Sequence, residues 1–290
     1  MTLTDSNLKI AVQKQGRLTE KSLELLEGIG LDFDFSKDQL FARCRNFDLD
    51  LLFLRDNDIP EYVQDGVCDL GIVGRNMVVE KRASVTAVQK LGFGNCRLAI
   101  AVPESSKITS WQDLEGSRIA TTYPNSLEAF LLEKKIKAEV ICISGSAEIA
   151  PSLNLSDAIC DLVSSGNTLR INGLRELELV FESQAVLNET KASLPDPKRQ
   201  LINRLLLRVS AVLKAQRTKY VLMNAPESAL EKIKAIIPGL DSPTVVPLAK
   251  PGMIAVHSVV DEEEFWEVIE QLKEVGATSI LVSPIEKLIA

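Results

Sequence analysis

The sequence holds a single histidine, His257. One histidine excludes a zinc site built from several, and it leaves a Ser-His-Asp triad only one candidate base. His257 lies in MIAVHSVV, which reads as a strand near the C-terminal end, so a strand-face histidine is its simplest description. Cysteine is also sparse. Cys44, Cys68, Cys96, Cys142 and Cys160 are odd in number and include no Cys-x-x-Cys pair. Most have apolar neighbours, so buried free thiols in a reducing cytoplasm are expected. No apolar run approaches the ~20 residues of a membrane span. The opening MTLTDSNLKIAVQKQGRL lacks both the apolar stretch and the small-residue cleavage site of a signal peptide. An excess of cations is missing too. A net charge of −7 gives the whole chain no attraction for nucleic acid or an anionic membrane. Any polyanionic ligand must therefore be held by local cations and backbone N–H groups.

What is present suffices for more than one core. A chain of 290 residues implies two or three domains. With 46% hydrophobic and 25% charged residues it falls in the soluble globular class, neither disordered nor fibrous. Leu8 to Val12 reads as a short buried strand, followed by the loop Gln13 to Arg17. A helix follows with Thr19 as its expected N-cap and Gly30 as its stop. Leu49 to Leu54 is strand-like, Pro60 suits the first turn of a helix, and Val67 to Val73 is again a strand. Alternation of strand and helix with short connections indicates an α/β fold with a largely parallel sheet. The pattern repeats, with strands at Arg97 to Val102, Arg118 to Thr121, Val140 to Ile143 and Asp157 to Val163, and a helix at Leu127 to Lys135.

The polar segment Glu182 to Pro197 carries two prolines and reads as a crossing or linker. Lys198 to Arg217 keeps apolar residues at helical spacing. The last seventy or so residues order themselves βαββαβ, with Asp261 expected to cap the second helix; this is a ferredoxin-like arrangement.

The most telling stretch is Asp157 to Thr168, DAICDLVSSGNT. An apolar run carries one acid, Asp161, and opens into Ser164, Ser165, Gly166, Asn167 and Thr168. An acid at a strand end accepts from ribose hydroxyls. Small residues at a following helix start offer N–H groups and hydroxyls to a phosphate. The loop alone fits a plain strand-to-helix turn equally well; Asp161 before it favours the sugar phosphate. The stretch has an echo in GVCDLGIVGRN, Gly66 to Asn76, which suggests one strand-to-loop edge built twice.

The remaining signals are weaker singly. Gly16 lies between Lys14 and Arg17 at a helix start, which suits a diphosphate, although a solvated basic turn is the simpler reading and the full P-loop pattern is absent. Gly71 and Gly74 would allow close backbone approach to a flat ligand, or simply close packing. Arg55, Arg97 and Tyr123 stand at expected strand ends, where open parallel sheets bind ligands. Glu148 precedes the phosphate-loop strand and could meet a magnesium ion or a ribose hydroxyl; as it stands it is an exposed loop acid.

Taken together, KIAVQKQGRL, FLRDNDIPEYV, CDLGIVGRN, CRLAIAVP, RIATTYPN, SGSAEIAP, DAICDLVSSGNTLRINGL, PTVVPLA and ATSILVSPIEKL resemble the long-form ATP phosphoribosyltransferase family, which catalyses the first step of histidine biosynthesis. The resemblance runs over essentially the whole chain. It implies two lobes like those of a periplasmic binding protein and a C-terminal ferredoxin-like regulatory domain. Lobe I would be residues 1–96, completed by about 184–215; lobe II would be 97–183, and the regulatory domain 216–290. It implies transfer of the phosphoribosyl group of 5-phosphoribosyl 1-diphosphate to N1 of ATP, with Mg2+, inhibition by histidine, and a homo-oligomer ranging from dimer to hexamer.

By resemblance, Asp161 holds the ribose hydroxyls, with Glu148 nearby, and Ser164 to Thr168 hold the 5′-phosphate. Lys14, Gly16 and Arg17 meet the polyphosphate, while Asp69, Leu70, Gly71, Arg97 and Tyr123 line the nucleotide side. Asn224, Leu240, Ser242 and Thr244 fall where the family places its histidine contacts, with Asn224 where some relatives carry an acid. A two-lobe small-molecule binding protein with a fused sensing module would share the lobes and tail, but it leaves the paired phosphate-type and basic loops unexplained. A regulatory subunit without activity would be expected to lose Lys14, Arg17 and Asp161, which are present.

Overall fold

The computed structural model describes residues 6–36, 39–237, 239 and 242–289. Two compact units divide the chain, Met1–Ile202 and Asn203–Ala290. The first is built on two sheets. At the centre of its six-stranded sheet lies β1, Leu8–Gln13, with β3, Leu49–Leu54, parallel on one side and β4, Leu70–Gly74, parallel on the other. These strands are almost continuously apolar because helices and neighbouring strands bury both faces; Leu8, Ile10, Leu49, Leu51, Leu70 and Ile72 are all essentially inaccessible. β2, Phe41–Arg43, closes one edge antiparallel to β3. Helices α1, Thr19–Gly28, α2, Ile59–Gln64, and α3, Arg75–Glu80, follow the three parallel strands. β1 and β3 run in register to Gln13 and Leu54, so residues 14–18 and 55–58 leave the sheet at the same edge.

The other edge differs from the expected linker at Glu182 to Pro197. β11, Ala185–Thr190, is a strand buried at every residue, antiparallel to both β4 and β5, Val85–Lys90, and lies between them. Its polar half hid it. Inside the fold most of that polarity is satisfied: Glu189 pairs with Arg199, the Thr190 N–H donates to the Asp69 carbonyl and the Asn188 amide nitrogen donates to the Val186 carbonyl, while Asn188 Oδ1 is buried without a partner.

The second sheet of this unit has the order β10, Leu174–Ser183; β6, Cys96–Pro103; β9, Ala158–Val163; β7, Arg118–Thr121; β8, Glu139–Cys142. β9, β7 and β8 are parallel, whereas β6 and β10 are antiparallel additions. Helix α4, Pro124–Lys134, contributes Leu127, Phe130 and Leu131 to a cluster with Leu98, Ile100, Val102 and Ile119. The opposite face packs Ala99, Ala101, Ile159 and Val163 against Leu169 of the five-residue helix α5, Asn167–Ile171.

Helix α6, Asp196–Gln216, contains the division between units and buries Ile202, Leu205, Val209 and Val212 at the expected spacing. The second unit carries an antiparallel sheet in the order β13, Thr244–Pro247; β14, Met253–Asp261; β12, Thr218–Pro226; β15, Thr278–Pro284. Helices α7, Leu230–Ile236, and α8, Phe265–Glu274, pack Ile233 and Leu272 on Val221, Met223 and Val256. The chain order is βαββαβ.

Two expected helix caps are displaced. Leu18, not Thr19, is the N-cap of α1, and the Thr19 hydroxyl is buried with no partner. Asp261 still pairs with Thr218 as the last residue of β14; its carboxylate accepts from the Glu263 N–H at 2.9 Å, and α8 begins four residues later.

Candidate functional site

Asp161 is the fourth of six residues in β9, and the strand then releases Ser164 and Ser165 to the surface. Gly166 turns the chain at φ 76°, a conformation that disfavours side chains with a Cβ, and α5 starts at the next residue. A cavity of about 110 Å³ opens at this turn. Asp161, Ser164, Ser165, Gly166 and Thr168 line it, together with Glu148 from the turn after β8 and Arg17 from the loop after β1. The residues that the sequence marked for a sugar phosphate therefore converge from three separate segments.

Burial raises the Asp161 carboxyl above the ordinary carboxylate range and Glu148 pushes the same way, while the Leu162 N–H, Arg17 and the Thr122 hydroxyl oppose them. The Leu162 N–H donates to Asp161 Oδ1 at 2.8 Å. Asn167 is the one loop residue that does not line the cavity; its amide oxygen accepts from Arg170 at 2.8 Å within α5.

Loop 14–18 is held from within. The Lys14 N–H donates to the Leu54 carbonyl, and Gln13 Oε1 accepts from the Leu18 N–H at 3.1 Å. Gly16 is needed for this wrapping: a Cβ there would lie 2.3 Å from the Gln13 amide nitrogen. The loop sits between two cavities. Arg17 faces the one beside Asp161. Lys14 lines the other, of about 680 Å³, with Gln13, Phe53, Arg55 and Asp56. Asp56 Oδ1 is buried there without a partner, and burial raises its carboxyl pKa.

Tyr123 packs on the apolar clusters of both sheets, and its hydroxyl lies 3.5 Å from the Asn76 amide. Burial, then the negative charges of Asp161 and Asp56, push the phenol well above its usual range. Beside it Glu80, at the end of α3, is buried and accepts from the backbone N–H groups of Asn125 and Ser126 at the start of α4.

Four residues expected on the nucleotide side have defined partners within the fold. Asp69 precedes β4 and sits level with Lys9, roughly four residues, or ~13 Å, from the Gln13 end of β1. It is buried in an ion pair with Lys198 at 2.9 Å and accepts from the Lys9 N–H at 2.7 Å. Leu70 is core. Gly71 makes room for α2, since a Cβ would stand 2.7 Å from Val63 and 2.8 Å from Ile59. The two Cys-Asp-Leu segments are thus out of phase: one begins its strand, the other lies late in it. Arg97 belongs with the phosphate-type loop, donating to the Ser164 carbonyl and pairing with Glu176.

Sequence reading missed Thr122, Glu80, Glu176 and Asp56. Each is a common residue type; neighbouring strands bring Thr122 and Glu176 to their places, the loop after β3 brings Asp56, and the end of α3 brings Glu80 to the start of α4. In the second unit, Asn224 pairs with Ala255 and Thr244 with His257, which places Asn224 and Thr244 on one face of the sheet. Ser242 is exposed, and Leu240 lies outside the described residues. The five thiols are all free, but only Cys44, Cys68 and Cys160 are fully buried.

Among the described residues no helix is long and apolar enough to cross a membrane, and no group of three or more His, Cys, Asp or Glu side chains could hold a metal ion.

A two-lobed α/β unit brings an arginine, two carboxylates and a hydroxyl-rich glycine turn to one cavity, a set of groups chemically suited to a phosphorylated sugar. Comparison with known proteins specifies it further. The family model described as ATP phosphoribosyltransferase (HisG) matches residues 55–211, and that described as HisG, C-terminal domain, matches residues 215–287. The ATP phosphoribosyltransferase of Cytophaga hutchinsonii is 49% identical over 97% of this chain and 98% of its own length. That of Bacteroides fragilis is 47% identical over 97% and 99%. A chain from the ATP phosphoribosyl transferase (HisG:HisZ) complex of Thermotoga maritima superposes with a TM-score of 0.62 at 28% identity, over 70% of this chain and 96% of that one.

The chain belongs to the ATP phosphoribosyltransferase family, in the long form that carries the C-terminal domain. It is a pentosyltransferase of the first step of histidine biosynthesis, and its reaction uses a divalent metal.

Proposed function

We propose that the cavity at Asp161 seats 5-phosphoribosyl 1-diphosphate and that the larger cavity beyond Lys14 seats ATP. The convergence of Arg17, Glu148, Asp161 and the Ser164–Thr168 turn on one small cavity carries this reading. The 5′-phosphate lies against the turn, where Ser164, Ser165 and Thr168 supply hydroxyls. Asp161 accepts from the ribose hydroxyls. Arg17 reaches the diphosphate, and Lys14 with Arg55 meets the triphosphate. A volume of about 680 Å³ is within the range that holds a nucleotide. Tyr123, packed against both sheets, borders the adenine path.

The reaction moves one electron pair at each end of C1. The adenine N1 lone pair forms the new N–C bond as the C1–O bond breaks, and diphosphate leaves with that bond's electrons. The 6-amino group of the product then loses its proton to water. Positive charge develops on the ribose and negative charge on the leaving group, so Asp161 on one side and Arg17 on the other stabilise the transition state. No protein nucleophile is required.

The donor set fits Mg2+. Glu148 and Asp161 line one cavity without a third carboxylate, and a hard cation that keeps few protein ligands takes the rest from substrate oxygens. Glu148 would hold it, and when bound it neutralises the diphosphate.

The same reading assigns residues 1–96 with 184–215 to one lobe, 97–183 to the other, and 216–290 to a domain through which histidine inhibits. Asn224, Leu240, Ser242 and Thr244 would contact that histidine. The enzyme is cytoplasmic and assembles from dimers to hexamers.

The test is direct. Purified protein with ATP, 5-phosphoribosyl 1-diphosphate, Mg2+ and a pyrophosphatase yields the N1-ribosylated nucleotide, followed by its ultraviolet absorbance. Absence of product at every metal and salt concentration overturns the reading.

A further inference from the structure

Arg97 is the second residue of β6, and across the ladder it faces Val163, the last strand residue before the phosphate-type turn. Its guanidinium is gripped at two points by Glu176: Nε lies 2.8 Å from Oε1 and 3.0 Å from Oε2, and Nη2 lies 2.7 Å from Oε2. The remaining arm, Nη1, donates to the Ser164 carbonyl at 3.2 Å. A forked guanidinium–carboxylate pair fixes the plane of both groups, so the third arm is aimed rather than mobile.

The aim has a consequence for the loop. The Ser164 carbonyl and the Ser165 N–H share one planar, trans peptide unit and point in opposite directions. Holding the carbonyl toward Arg97 turns the Ser165 N–H away from it. Ser164 and Ser165 both line the cavity at Asp161. The Ser165 N–H has no acceptor among the described residues. Nor is stability a sufficient reason for the pair. Both side chains remain about a third exposed, at 34% and 31%, where an ion pair contributes little.

We propose that Arg97, clamped by Glu176, is a positioning residue for phosphoribosyl binding: it sets the Ser164–Ser165 peptide so that its N–H faces the 5′-phosphate. The inference rests on the reading of Ser164–Thr168 as the phosphate cradle. Arg97 touches the loop backbone and acts through it.

Steady-state kinetics with 5-phosphoribosyl 1-diphosphate and ATP varied separately, beside thermal unfolding, tests it. Glu176→Gln keeps the arginine charge but loosens the fork. The expected result is a KM for phosphoribosyl diphosphate raised roughly tenfold, equivalent to ~1.4 kcal/mol, with KM for ATP and the melting temperature unchanged. Arg97→Lys keeps the charge but cannot grip Glu176 and Ser164 together, so it shows the same selective rise. Ribose 5-phosphate as a competitor weakens in parallel in both variants. An unchanged KM for phosphoribosyl diphosphate in both overturns the proposal. So does an equal rise in both KM values with a fall in melting temperature, because that is the signature of a structural pair. The underlying reading is judged separately by Thr168→Ala and Asp161→Asn. If these raise the same KM and Glu176→Gln does not, only the positioning role fails; if none does, the cradle itself is misplaced.

Discussion

Replacing Asp69 by alanine separates the two Cys-Asp-Leu segments by their physics. The Asp69 carboxylate is 4% exposed and the Lys198 ammonium 11%, with Nζ 3.0 and 2.9 Å from the two carboxylate oxygens. Removing the acid leaves a buried ammonium with no counter-charge, and breaking such a pair costs about 3–5 kcal/mol. The Lys9 N–H also loses its acceptor. At roughly 2–4 °C per kcal/mol for a unit of this size, the melting temperature should fall by roughly 6–20 °C. Circular dichroism with temperature measures this, and urea titration gives the free energy independently. The double replacement Asp69→Leu with Lys198→Met removes both charges and should recover much of the loss, because an apolar pair of similar volume avoids the desolvation cost. At temperatures where Asp69→Ala is folded, its KM for ATP should equal that of the unaltered chain. A melting temperature within ~2 °C of the original, together with a weakened KM for ATP, would refute the reasoning and restore Asp69 to the nucleotide site.

Asp161→Asn should behave oppositely. The folded state holds the Asp161 proton more tightly than the unfolded chain does, chiefly through burial, so the ionised carboxyl costs stability above the ordinary carboxylate range and not below it. The variant should therefore melt higher than the unaltered chain at pH 7, with the difference fading as pH falls through the raised folded value and absent below about 3.9; an unchanged difference across that range would contradict the burial argument. Gly71→Ala should cost about 1–3 kcal/mol by overpacking against Val63 and Ile59, seen as a lowered urea midpoint; a neutral effect would mean α2 yields freely. Thr244→Val, on the open face it shares with Asn224, should weaken inhibition by histidine while leaving uninhibited turnover unchanged; undiminished inhibition would place the effector elsewhere.

Much of this was legible in the sequence for simple reasons. β1, β3 and β6 are largely apolar runs bounded by turn residues, and with the shorter β7 they fall within a residue or two of where the pattern puts them. The turn beside Asp161 was legible as a unit because Asp161, Ser164, Ser165, Gly166 and Thr168 lie close in sequence, whereas Arg17 and Glu148 reach the same cavity from distant segments. β11 was not, because Asn188, Glu189 and Thr190 are polar and become buried only once β4 and β5 flank them. The difference in phase between the two Cys-Asp-Leu segments was not legible, because a strand's residues show which faces they occupy but not where along the ladder they start. One shift of phase moves an acid from the ligand edge to the far end. Arg97 stands at a strand end as expected, but its partners, Glu176 and the Ser164 carbonyl, are not readable from spacing because Glu176 lies on a strand far along the chain.

In the proposed arrangement, the cavity joining Arg17, Glu148, Asp161 and the Ser164–Thr168 turn holds the phosphoribosyl group. Titration calorimetry of 5-phosphoribosyl 1-diphosphate with Mg2+, into the unaltered protein and into Asp161→Asn, tests it most directly. Asp161→Asn should bind at least about tenfold more weakly, equivalent to ~1.4 kcal/mol, while remaining folded. Equal affinity in the two proteins would contradict the account.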